Sequence, residues 1–186
     1  MLGRLLRPIR AGEKRLAYND AAFAMVPEIL EVTSPAFQHG EMMPLPYGGP
    51  GVGQNISPPL AWTGVPAGTA ELVLILEDFS VPMPTPFVHA VAIGIAPDRA
   101  GLKEGELSDP ALLAVSELAL GRSSGRTIEY IGPRPIPGHG PHTYVFQLFA
   151  LSRTLELAPQ FGRSQVVSAM GGSVLARGRL DGTFER

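Results

Sequence analysis

Three stretches of the chain are apolar on both sides of the strand alternation. Glu71–Asp78 (ELVLILED) is one, with Leu72 through Leu76 apolar without a break; such a run marks a strand covered on two faces. Phe87–Ile95 (FVHAVAIGI) has the same character, interrupted by His89. Thr143–Leu151 (TYVFQLFAL) alternates and then saturates with aromatic and aliphatic residues, as a buried strand does. Two further stretches carry helical signals. Over Ser108–Gly121, Asp109 is a cap, Pro110 suits the first turn and Gly121 is a stop. Ser164–Arg177 sets Val166, Val167, Met170, Val174 and Leu175 on one side, though Gly171 and Gly172 weaken it by about 1 kcal/mol each. Short strands are expected at Glu28–Val32 and Arg179–Phe184, and a short helix over Asn19–Met25.

Long polar loops, rather than regular crossover helices, separate the strands. That argues against a doubly wound α/β fold. It predicts a mainly β chain, a Greek-key β-sandwich with a few peripheral helices. Residues 1–27 read as an N-terminal tail or short helix and 28–186 as a single domain. The totals refine this picture in a few respects. Among 186 residues, Gly 22 and Pro 19 without a period mean many turns and rigid loops. A net charge of −2, with no basic stripe interleaved with stacking aromatics, gives no pull toward nucleic acid. The chain has no cysteine, which excludes disulfides, zinc–thiolate sites and a cysteine nucleophile. No apolar run approaches the roughly 20 residues of a membrane span. Arg4, Arg7, Pro8 and Arg10 interrupt the apolar stretch that a signal peptide needs. A cytoplasmic protein is expected.

Candidate chemistry gathers where strands meet proline-rich loops. Asp78 closes the first central strand, before FSVPMPTP, and His89 lies near the start of the next. The stretch Gly132–Leu151 (GPRPIPGHGPHTYVFQLFAL) runs from a rigid loop into the third strand, with His142 and Tyr144 at its mouth. Residues two apart on a strand share a face, so these two project together. If the three strands are neighbours, Asp78, His89, His142 and Tyr144 converge. That set holds more donors than acceptors, so its natural guest is a small anion, a phosphate or a carboxylate. Asp78 would orient an imidazole and favour its charged form. His39 and His139 read as loop residues. The His139/His142 spacing would suit a metal on a helix, but it lies in a proline–glycine loop, and no metal or cofactor is expected. No Gly-x-Ser-x-Gly elbow, phosphate loop or dinucleotide fingerprint is present.

In three segments the chain resembles the phosphatidylethanolamine-binding proteins, in their bacterial Raf-kinase-inhibitor-like branch. Asn55–Trp62 (NISPPLAW) is similar to the family's opening signature. Glu77–His89 is similar to its Asp-Pro-Asp-x-Pro motif running into a histidine strand. Gly132–Leu151 is similar to its Gly-x-Pro-Pro-x-Gly…His-Arg-Tyr motif. The resemblance implies a β-sandwich whose pocket takes phosphate-bearing head groups and other small anions. It places Asp78, His89, Pro135, His142 and Tyr144 at that pocket, and it implies a cis peptide before Pro82. The chain departs from the pattern at Phe79, Ser80, Phe87, Arg134, Ile136 and Thr143. One carboxylate is lost and one cation gained, which favours more anionic guests. A non-catalytic binding protein for a small anion is therefore expected, with a homodimer possible. Two alternatives stand beside it: an inhibitor of a kinase or protease acting through its surface, and a hydrolase using a pocket histidine as base.

Overall fold

The apolar runs become the middle of a five-stranded antiparallel sheet. A computed structural model describes residues 2–186. In chain order its helices are α1 (Leu2–Leu6), α2 (Pro110–Val115) and α3 (Arg163–Met170). Its strands are β1 (Glu31–Thr33), β2 (Leu60–Thr63), β3 (Glu71–Asp78), β4 (Phe87–Ile95), β5 (Gly101–Leu102), β6 (Ala119–Leu120), β7 (His142–Leu151) and β8 (Val174–Phe184). The large sheet has the order β6-β4-β3-β7-β8, and a smaller one has the order β1-β2-β5. The architecture is mainly β, two antiparallel sheets with few helices, as the strand pattern predicts.

Both faces of the large sheet are covered, which is why its strands lack polar alternation. Leu72, Leu74 and Leu76 of β3 join Phe146 and Leu148 of β7 on the inner face, against Val32, Leu60 and Trp62 of the small sheet. Val73, Ile75, Val145 and Phe149 point the other way, into a second cluster. That cluster is closed by Val166, Val167 and Met170 of α3 and by Leu16, Tyr18 and Phe23. The N-terminal stretch thus lies against the outer face, and buried polar groups fix it there. Glu77 accepts from Ala17 N–H at 2.8 Å, and the Gln147 side chain accepts from Tyr18 N–H at 2.7 Å. Two 3₁₀ turns, Ala17–Asn19 and Ala21–Phe23, replace the short helix expected over 19–25.

Two helices are shorter than their periodicity suggests. The helix expected over 164–177 ends at Met170, and its last third becomes the start of β8. Gly172 takes φ +74°, a left-handed turn that L side chains resist. Val174 onward then finds a ladder partner in β7, and pairing outweighs the apolar helical face. The helix expected over 108–121 stops at Val115, and Ala119–Leu120 pairs with β4. No described peptide bond is cis, so the bond before Pro82 is trans.

Candidate functional site

Neighbouring strands β4, β3 and β7 end at one edge of the large sheet. Asp78 faces Tyr144 across one ladder and Phe87 across the other. His142 and Tyr144 continue the inner-face series of Phe146 and Leu148. His89 reaches the same place by a different device. Leu76 pairs with Ala90 and Glu77 with Val88, leaving His89 as the extra residue of a β-bulge. A bulge re-aims a side chain, and this one turns the imidazole toward the ends of β3 and β7.

The result is a cavity of about 570 Å³. Asp78, His89, Pro135, His142 and Tyr144 all line it. Most of its remaining wall is apolar: Leu6, Val81, Pro82, Met83, Phe87, Ile131 and Ile136. The polar side chains at its floor are almost wholly buried. The His89 and Tyr144 rings meet edge to face at 5.0 Å between centroids.

The loop wall is held from behind by residues of the Asn55 segment. The Asn55 side chain accepts from Gly132 N–H at 2.8 Å and donates to the Tyr130 carbonyl at 3.3 Å. Ile131 N–H donates to the His89 carbonyl at 3.0 Å, and His89 Nδ1 returns a bond to the Ile131 carbonyl at 2.5 Å. Because that carbonyl can only accept, Nδ1 carries the proton. The other ring nitrogen of neutral His89, Nε2, is then an acceptor directed away from that anchor. Burial lowers the His89 pKa, and the Asp78 charge and the Ile131 bond only partly offset it.

Asp78 is the hub of the floor. Its carboxylate accepts from Ser80 N–H at 2.7 Å and meets His142 Nδ1 at 2.6 Å. Tyr144 is its ladder partner: burial first, and then the Asp78 charge, push the Tyr144 pKa far up, so the phenol stays protonated. Ser80, where the family pattern has an aspartate, accepts from Thr143 N–H at 3.1 Å and clips the loop after β3 to β7.

His142 differs from the sequence expectation in one respect. Its Nε2 meets His139 Nδ1 at 2.8 Å, so both of its ring nitrogens are occupied by protein groups. It lines the cavity without a spare N–H. His139, read from sequence as a loop residue, is fully buried, and its Nε2 donates to the Leu6 carbonyl at 3.0 Å. The i, i+3 spacing of the two histidines was the available signal, and the helical-ligand comparison obscured it. Leu6 is the other residue the sequence did not flag, since nothing local connects it to a loop over 130 residues away. Arg134 sits exposed at the rim and is in no ion pair among the described residues.

This fold and this strand-end pocket place the chain among β-sandwich ligand-binding proteins. The chain belongs to the phosphatidylethanolamine-binding protein family, whose model matches residues 33–185. A UPF0098 protein of Aquifex aeolicus is 36% identical over 172 residues, covering 92% of this chain and 97% of its own. The crystal structure of a phosphatidylethanolamine-binding protein homologue, CT736 of Chlamydia trachomatis, superimposes with a TM-score of 0.75 at 30% identity, over 86% of this chain and 99% of that one. YbcL of E. coli shares the fold, with a TM-score of 0.78 at 22% identity over 85% and 99% of the two chains. Among the described residues no helix is long and apolar enough to cross a membrane.

Proposed function

We propose that this protein binds, without transforming it, a small molecule that carries a phosphate or carboxylate on an apolar body. Asp78, His89, Pro135, His142 and Tyr144 are proposed to form the ligand-binding pocket, with Arg134 added; His89 and Arg134 make the polar contacts, and Asp78 and His142 build the floor. The observation that carries this reading is the division of polar groups around the cavity. Asp78 is engaged internally by Ser80 N–H and by His142, which turns its carboxylate toward protein groups rather than toward a guest. Arg134, exposed and in no ion pair among the described residues, is the one cation in a lining that is mostly apolar. Arginine pairs with phosphate and carboxylate through two parallel bonds, and the apolar walls suit the rest of the ligand. His89 Nε2 is the second polar contact. When neutral it accepts a hydrogen bond from the P–OH of a protonated phosphate; when protonated it donates to the anion. Anion affinity is therefore expected to rise as pH falls from 7.5 to 6.

Titration calorimetry with inorganic phosphate and O-phosphorylethanolamine tests this. Wild type gives saturable heat at millimolar ligand, and Arg134→Ala weakens binding roughly 10- to 100-fold, the loss of a charge-assisted pair. Absence of saturable heat from wild type between pH 6 and 7.5 overturns the reading. One rival draws on a specific observation: a buried imidazole with lowered pKa and a free Nε2 has the form of a general base. Turnover of a phosphoester panel that disappears in His89→Ala would establish a hydrolase instead. A cytoplasmic location belongs to the same proposal, and cell fractionation checks it.

A further inference from the structure

The Asp78 carboxylate, His142, His139 and the Leu6 carbonyl form one line of hydrogen bonds that runs from the cavity floor to the N-terminal segment. Its three contacts are 2.6, 2.8 and 3.0 Å long. Each needs one proton between its heavy atoms. Two neutral imidazoles supply two. The complete line therefore carries one proton more than a carboxylate and two neutral histidines, and its net charge is zero.

Removing that proton breaks one of the three contacts. The Asp78–His142 contact is charge-assisted and survives, with the proton on His142 Nδ1. His142 Nε2 then becomes an acceptor, so His139 satisfies it by turning its own proton to Nδ1. His139 Nε2 is left with a lone pair facing the Leu6 carbonyl. The deficit thus moves to the end of the line, where the contact changes from attraction to repulsion.

Leu6 belongs to a segment that depends on few anchors. Ala11 N–H donates to the Val81 carbonyl at 2.9 Å and Gly12 N–H to the Phe79 carbonyl at 3.0 Å. Arg7 Nε donates to the Gly138 carbonyl at 2.9 Å and an Arg10 nitrogen to the Pro141 carbonyl at 3.2 Å. Gly3 is packed so closely that a Cβ there would lie 2.1 Å from the Pro137 carbonyl oxygen. Leu6 itself is a wall of the cavity.

We propose that residues 2–12 form a proton-latched strap across the cavity, seated while the Asp78–His142–His139 line holds its extra proton and loosened at Leu6 when the proton leaves. The other titratable and charged groups facing the line are His89 and Tyr144 at the floor, Arg134 at the rim, and Arg4, Arg7 and Arg10 on the strap. At the last residue, an oxygen of the Arg186 carboxylate, itself a charged group beside this loop, accepts from Gly138 N–H at 2.8 Å. Tyr144 stays protonated, its pKa pushed far up by burial. Burial lowers the His89 pKa, and the three contacts of the line make its proton count depend on the His142 and His139 rings.

Hydrogen exchange of the Ile9, Ala11 and Gly12 amides in the full chain, corrected for intrinsic pH dependence, reads the strap from pH 5.5 to 9. Ring ¹⁵N spectra read the histidines in parallel. In wild type, protection is expected to fall about tenfold across the pH range in which the His139–His142 pair loses a proton, as one buried hydrogen bond is lost. Asp78→Asn changes the count: its amide donates to His142 Nδ1, so all three contacts close with neutral groups, and protection becomes high and independent of pH. His139→Asn severs the line, and protection becomes low and flat while the domain still unfolds cooperatively. Wild-type protection that is unchanged while the pair titrates overturns the proposal. So does an Asp78→Asn protein that keeps the wild-type dependence.

The link to ligand rests on the binding reading above. Saturating inorganic phosphate, a negative charge beside the line, is expected to hold the proton and shift the loosening to higher pH. Loosening that occurs but ignores phosphate removes the link and counts against the binding reading, while the strap stands. Phosphate that binds to a strap indifferent to pH overturns the strap alone.

Discussion

His89 joins stability to site chemistry in one residue. Its pKa is lowered in the folded protein from an ordinary value of 6.5. In the window below 6.5 and above the folded value, the unfolded chain binds a proton there and the native chain does not. Acid therefore shifts the balance toward unfolding, by at most about 1.4 kcal/mol per pH unit from this group. Urea unfolding at pH 7.5 and 5.5 is expected to show a larger acid loss in wild type than in His89→Gln. Equal losses would mean that the imidazole is not held neutral. Asp78, His89, His142 and Tyr144 were all legible as a group, because polar residues stand out at the ends of saturated strands. The reason His89 points inward was not, since a one-residue bulge leaves no local sequence mark. The roles of His139 and Leu6 were also hidden, because both depend on a contact between distant parts of the chain.

At the scale of elements, the competition between helix and strand after Met170 has a testable remnant. Gly172 sits in open space at φ +74°, so a side chain there meets only backbone resistance. Gly172→Ala is expected to destabilise the protein by about 1 kcal/mol, read by thermal unfolding. A neutral or stabilising outcome would mean that the helix extends toward 177 in solution. The three central strands were readable because burial on both faces writes itself as an unbroken apolar run. The ends of α2 and α3 were not: Ala119–Leu120 and Val174–Phe184 are strands only because β4 and β7 offer open edges. Local propensity says nothing about such partners.

Across the whole molecule, the large sheet has two cores, and the N-terminal stretch closes the outer one. Phe23 is fully buried against Phe149, with ring centroids 5.5 Å apart. Phe23→Ala is expected to cost about 3–5 kcal/mol, measured by urea denaturation, whereas truncating the exposed Met25 should cost little. A small loss at Phe23 would mean that this layer adds little to the fold. The same layer leads back to the strap, so the N-terminal stretch serves the outer core at Leu16–Phe23 and the cavity at Leu6. The anion is expected in the space between Arg134 and His89. A crystal grown with inorganic phosphate near pH 6 tests it. The expected result is a phosphate with oxygens about 3 Å from the Arg134 guanidinium and from His89 Nε2. Full-occupancy phosphate only elsewhere, for example beside Arg15, Arg122 and Arg163 at the start of α3, with this cavity holding none, would contradict it.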